Sequence, residues 1–283
     1  MVGFSVVCWS LLVLLTARTA GSAAALNDLS MHKYTDNGEV AQLAYAARAV
    51  ARSSPRLSFK DEETGCILLF AFNKADSDLS SRFSSGIEFA PEAQTVLLPA
   101  GYGPDSRYLL NQVNMVVQNH CLVYGEAPNL HNLAMQISRW VTRGMYRGGE
   151  DPIARPLASA VVLAAAEDSG GSEAAANRLV QVDNTGAVTE RRVSMMGAMS
   201  AVLQEKLLRI LREPGAHTAA SSISSAGGRL IDRVGQCLAL LMEDRDDVVE
   251  CAILTGSGAI NRSPILHSAD EAVTWISGAV ADT

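Results

Sequence analysis

The 283-residue chain has no Cys-x-x-Cys pair, no His-Glu-x-x-His motif, no glycine-rich loop placed to follow a strand, and no run of basic residues. Each absence removes a class of chemistry. Zinc sites need thiolate or imidazole ligands at short, fixed spacings, and neither the cysteines nor the histidines His32, His120, His131, His217 and His267 supply them. No metal or cofactor is therefore expected. A net charge of −7 without a basic stripe argues against nucleic acid as a partner. The longest apolar stretch, Phe4 to Thr16, falls well short of the ~20 residues that span a bilayer. Cys66, Cys121, Cys237 and Cys251 are scattered rather than spaced as a disulfide framework, which points to a reducing compartment.

What is present is ample core material, 48% hydrophobic against 19% charged, with no internal linker rich enough to divide it. Residues 26–283 read as a single domain. Residues 1–25 read as a signal peptide or as a leader upstream of a later start at Met31: an apolar stretch is followed by Arg18 and small residues. Cys66 to Phe72 is continuously apolar, as in a strand buried on both faces. Leu157 to Ala166 and Arg178 to Val193 read as strands, the second broken by the turn Asp183-Asn184-Thr185-Gly186. Asp247 to Thr255 is a further strand. Helical spacing runs over Asp105 to Val123, Leu130 to Tyr146, Gly197 to Arg212, Gly228 to Glu243 and His267 to Val280. Ala166 to Asn177 and Glu213 to Ala226 are small, polar and aperiodic, and read as loops. This order predicts helices on both sides of paired sheets. Trp140, Met195, Met196 and Met199 fit core or subunit contact better than a cofactor site, and His120 and Cys121 fall inside a helix.

One segment carries more than composition. In Tyr34 to Val50, YTDNGEVAQLAYAARAV, a turn at Asp36-Asn37-Gly38 feeds a helix starting near Glu39, with Val40, Leu43, Ala44, Ala47 and Val50 on one face. The stretch resembles the N-terminal signature of proteasome alpha subunits. Later segments resemble the same family in the same order: GYGPDSRYL from Gly101, LVYGEAP from Leu122, Arg155 to Ser159, RLVQVDNTGAV from Arg178 and SMMGAMS from Ser194. The resemblance spans about Leu26 to Ala281 and is strongest to the second alpha type.

The resemblance implies an α+β fold, a four-layer α/β/β/α sandwich of the N-terminal nucleophile hydrolase type. It implies a non-catalytic alpha-ring subunit of the 20S proteasome core, serving ring assembly, pore gating and ubiquitin-dependent protein degradation. Its partners would be other alpha subunits in a heteroheptameric ring and the beta subunits, in cytoplasm and nucleus. By family position, Tyr34, Asp36, Gly38 and Tyr45 are gate-turn and first-helix residues. Gly103, Asp105, Arg107, Tyr124 and Glu126 belong to a packing motif, and the helix from Asp105 would face the beta ring. The family lysine that receives activator tails would fall in Ser84-Ser85-Gly86-Ile87-Glu88, which has none, so a regulatory particle or activator finds no anchor and meets a repelling Glu88. Leu157 and Ala158 also depart from the family pattern. Two alternatives stand beside this reading. One is a secreted or organellar alpha-like paralogue with a separate binding role, on the secretory pathway if the leader is real, and with no membrane contact after its removal. The other is an active N-terminal nucleophile hydrolase, for which Thr64, Ser53, Ser54 and Ser58 are the hydroxyls to consider; no Gly-Thr bond precedes the first strand, and Lys74 lies too close in sequence to serve as the partnered lysine.

Overall fold

A run as apolar as Cys66 to Phe72 must be covered on both sides, and the architecture follows from what covers each. The computed structural model of the chain describes residues 34, 37–74, 86–146, 155–167, 176–212, 226–242 and 247–281. In chain order the elements are α1 (Ala41–Ala51), β1 (Arg56–Lys60), β2 (Ile67–Lys74), β3 (Glu88–Ala90), β4 (Thr95–Gly101), α2 (Gly103–Tyr124), α3 (Leu130–Tyr146), β5 (Ser159–Glu167), β6 (Ala176–Val182), β7 (Val188–Glu190), β8 (Val193–Met196), α4 (Ala201–Arg212), α5 (Ala226–Leu241), β9 (Asp247–Leu254), β10 (Ile260–Arg262) and α6 (Ala269–Ala281). The strands form two antiparallel five-stranded sheets, ordered β10-β9-β2-β1-β8 and β3-β4-β5-β6-β7.

Alternation along β2 sorts its side chains between two cores. Leu68, Phe70 and Phe72 pack outward with Leu207 of α4, Leu230, Val234 and Leu238 of α5, and Ile276 of α6. Ile67, Leu69 and Ala71 point the other way, onto Val96 and Leu98 of β4 and Val162 and Ala164 of β5. The second sheet turns its outer face, including Leu97, Val161 and Leu163, against Leu109 and Val113 of α2 and Leu133 and Ile137 of α3. The layers are therefore helix, sheet, sheet, helix, the expected α+β sandwich. Each fully buried Leu, Ile or Phe is worth roughly 1.5–3 kcal/mol against exposure.

Several elements differ from expectation. The strand read as ending at Val193 is followed without a break by a separate one: Val193–Met196 is β8, which crosses to the first sheet and pairs with β1, Ser58 opposite Ser194. Helix α4 accordingly begins at Ala201 rather than Gly197. Ser58 lies in a strand and is fully buried, not in an exposed loop. Strands β1, β3 and β10 are too short to show periodicity in the sequence. The turn at Asp183 is as expected, its carboxylate accepting from the Thr185 and Ala187 backbone N–H groups at 2.8 and 2.9 Å. The methionines pack as core: Met196 between the sheets, Met195 and Met199 against the outer cluster, while Trp140 lies 5.2 Å from Tyr108, ring to ring. Residues 1–25, Met31, His32 and His217 lie outside the described residues. Among the described residues no helix is long and apolar enough to cross a membrane, and no cluster of His, Cys, Asp and Glu could hold a metal ion.

The turn joining β1 to β2 opens with three consecutive acids. Asp61 pairs with Arg233 at 2.6 Å, Glu63 with Arg229 at 2.8 Å, and Glu62 with Arg192. Asp61 is almost completely enclosed, its carboxylate also accepting from the Thr64 backbone and hydroxyl.

Burial pushes the thiols of Cys237 and Cys251 from the ordinary 9.0 up to about 12. A raised folded-state value means that stability is complete below the unfolded pKa and is lost as pH climbs toward the folded one. Between about pH 9 and 12 the two thiols together should cost up to roughly 2.7 kcal/mol per pH unit. Urea unfolding as a function of pH should show this slope, and the Cys237→Ala/Cys251→Ala double variant should show less of it by that amount.

Candidate functional site

The N-terminal turn that leads into the first helix has its two ends brought together. Tyr34 and Val40 form an isolated antiparallel bridge, and the chain reverses between them through Gly38 at φ +80°, a conformation that favours glycine. Asp36 lies outside the described residues. Helix α1 starts at Ala41, later than Glu39, and its N-cap Val40 has no side-chain cap. Its docking also differs from the stripe the spacing predicts. Ala41 and Ala46 are buried, whereas Val40, Leu43, Ala44 and Val50 are half-buried and Ala47 is exposed. The helix rests on β4 and β5 through its small residues, with Val50 reaching the core between the sheets. Small side chains permit that close approach, and Val40 and Leu43 are left only half-covered. Tyr45 is exposed, with the Arg48 guanidinium 5.9 Å from its ring centroid.

From α1 the chain passes Ser53, Ser54 and Pro55 into β1, whose first residue is a buried arginine. Arg56 is 5% exposed and donates only to neutral oxygens: Nε to the Pro99 carbonyl at 3.1 Å, Nη1 to the carbonyls of Phe72 at 2.6 Å and Pro55 at 3.0 Å, and Nη2 to Asn73 Oδ1 at 3.2 Å. Burial lowers its pKa to about 10, against the opposing pull of Glu250. A buried cation thus ties the two sheets to each other. The candidate hydroxyls are engaged elsewhere. Thr64 Oγ1 donates to Asp61 at 2.7 Å within the β1–β2 turn, Ser53 Oγ donates to the Val50 carbonyl at 2.7 Å, and Ser58 Oγ is buried with no partner among the described residues.

Glu250 of β9 marks a second feature the sequence did not reveal. Its carboxylate accepts from the Ile87 backbone N–H at 3.0 Å and from Arg262 Nε at 3.0 Å. A Cβ on Gly86 would lie 1.6 Å from Glu250 Oε2, so the absent side chain is what makes room for the carboxylate. The acid placed against Ile87 is thus Glu250, while Glu88 is exposed. The only hint in the sequence is a carboxylate inside an otherwise apolar strand, DVVECAIL.

Of the packing motif, Asp105 is the member enclosed within the chain. It sits in the first turn of α2, where the helix dipole favours an acid. Its carboxylate takes both terminal nitrogens of Arg155, at 2.7 and 2.8 Å, and the Ala158 backbone N–H at 2.8 Å. That bond, countered in part by burial, raises the Arg155 pKa further. Gly103, Arg107, Tyr124 and Glu126 lie at the surface of the chain. Asp105→Ala would leave a buried N–H without an acceptor, costing about 1–3 kcal/mol, whereas Arg155→Ala removes a half-exposed partner and should cost about 1 kcal/mol or less. Chemical denaturation of the two variants should show that asymmetry.

No protein-family model matches the chain. Individual relatives do. The chain is 25% identical over 164 residues to proteasome subunit alpha type-2 of Trypanosoma brucei brucei, covering 58% of this chain and 66% of the relative. It is 25% identical over 170 residues to a proteasome subunit alpha of Methanopyrus kandleri, covering 60% and 64%. The figures for a proteasome subunit alpha of Methanococcus vannielii are 24% over 180 residues, covering 64% and 65%. The chain thus spans just under two thirds of the length of the curated relatives it matches. Over about 60% of its length the chain is thus similar to proteasome alpha subunits, and its paired antiparallel sheets between helices are consistent with their fold.

Proposed function

We propose that this chain is a non-catalytic subunit of a proteasome core particle, seated in an alpha-type ring among other alpha subunits and stacked on beta subunits. The observation that carries the reading is the end of α2. Leu122, Val123 and Tyr124 are 83%, 73% and 67% exposed, and Met115, about two turns back on the same helix, is 52% exposed. Consecutive large apolar residues at a helix end are a poor surface for a chain that stays alone. The open flank of α1, with Leu43, Ala44 and Tyr45, is a second such surface. Both suit subunit contacts.

The role supported is assembly and gating. The Tyr34–Val40 bridge and Gly38 hold the N-terminal turn in one shape, as a pore gate requires, and Tyr45 is exposed on the helix that follows. A non-catalytic role is supported by the positions of Thr64, Ser53 and Ser58, which serve a turn, a helix end and a strand. The chain would thereby contribute to ubiquitin-dependent degradation in cytoplasm and nucleus. Activator tails should gain nothing here. Ile87 offers no cation, and its N–H is already bonded to Glu250.

Native mass spectrometry of the tagged protein from its own cells tests the assignment. Co-purification with other alpha subunits and with beta subunits is the expected result. Recovery of the chain alone, from an organelle or from the medium, would instead favour a separate alpha-like paralogue, and an intact mass showing cleavage just before a Thr, Ser or Cys would favour a hydrolase. Leu122→Glu/Val123→Glu should abolish co-purification while changing the stability of the isolated chain by about 0.5 kcal/mol or less per site, since both residues are exposed.

A further inference from the structure

Beside β8, at the far end of β1, lies a cavity of about 830 Å³. Part of its lining is apolar, from Phe59, Val193, Met195, Leu208 and Leu211. The rest is charged with both signs, but the carboxylates are committed. Asp61, Glu62 and Glu63 pair with Arg233, Arg192 and Arg229, and Glu190 pairs with Arg178 at 2.8 Å. Three further cations line the same cavity, Lys60, Arg191 and Arg212, and none of them forms a salt bridge with a carboxylate among the described residues. Lys60 lies near enough to Glu190 to favour its ionised form, although Arg178 is the larger influence. The local balance is therefore positive over an apolar floor.

An independent observation concerns the backbone. Strand β8 is the edge of its sheet. The Lys60 N–H donates to the Arg192 carbonyl at 2.8 Å, which fixes the alternation of the antiparallel β1–β8 ladder. By that alternation the N–H and C=O groups of Val193 and Met195 point away from β1, to the open side. An edge of this kind is a template for a further strand.

We propose that this groove binds an extended acidic peptide segment with interspersed apolar side chains. The segment adds to β8 through the outward backbone groups of Val193 and Met195. Its carboxylates meet Lys60, Arg191 and Arg212, and an apolar side chain enters over Phe59 and Leu208. The inference needs no assembled ring, so it stands or falls apart from the role proposed above.

A fluorescein-labelled Glu-Leu-Glu-Val-Asp-Phe peptide, titrated into the full-length chain as it purifies and followed by anisotropy, tests it. Saturable binding is expected, with added hydrogen-exchange protection at the amides of Val193 and Met195. Arg191→Glu/Arg212→Glu should weaken binding at least roughly tenfold. Met195→Pro should weaken it comparably while circular dichroism stays unchanged, because proline is tolerated where an edge N–H faces outward. Four outcomes would overturn the proposal: no binding; equal binding of the peptide with lysine in place of each acid; full displacement by inorganic phosphate at concentrations that leave ionic strength unchanged; or protection of the two amides by self-association without peptide.

Discussion

The packing of the two sheets against each other is the constraint from which everything else in this chain follows. Ile67, Leu69, Val96, Leu98, Val162 and Ala164 meet face to face. Because helices also cover both outer faces, the central strands β2, β4, β5 and β9 have no side turned to water. Their sequences must be apolar throughout, and any charge placed in them has to be satisfied inside the protein. Glu250 within β9 is one such charge, and Arg56 at the start of neighbouring β1 is a buried one in the adjacent strand. Arg56 is satisfied by carbonyls from both sheets, Glu250 by a backbone N–H and Arg262. Both sit toward the periphery of the apolar layer, and each ties β1 or β9 to a segment leading into or belonging to the second sheet.

The same constraint explains how much of the fold could be read from the residues. Strands buried on both faces leave continuous apolar runs such as CILLFAF and AVVLAAA, and long amphipathic helices such as α3 leave unmistakable spacing. Short edge strands leave neither. Strands β3, β7 and β10 have three residues each, which is less than two periods of alternation. Strand β8 was hidden for a different reason: only its first residue, Val193, falls in a run that reads as strand, and pairing with β1 carries the strand on to Met196. Tertiary context decided the matter.

The site was less legible than the fold. Turn chemistry at Gly38 and Asp183 is local, so those features could be read directly. The Asp105 carboxylate, by contrast, acts across 50 residues on Arg155, and Glu250 acts across 163 on Ile87. Spacing cannot reveal pairings of that reach. The stripe on α1 failed instructively: the periodicity is real, but the helix approaches β4 and β5 with its alanines, since short side chains let backbones come close. An apolar stripe thus indicates that a face needs cover without saying whether its own chain provides it.

The acidic turn between β1 and β2 has one more consequence. Its three consecutive carboxylates are answered by arginines from two separate places, Arg229 and Arg233 on α5 and Arg192 beside β8. Neutralising a single arginine would leave an unmatched negative charge pressed between two others, so the effect of one change depends on which neighbours have already changed. The turn is in this sense a small lock with three keys held by different parts of the chain. Sequence drift there should proceed by exchanged pairs rather than single steps.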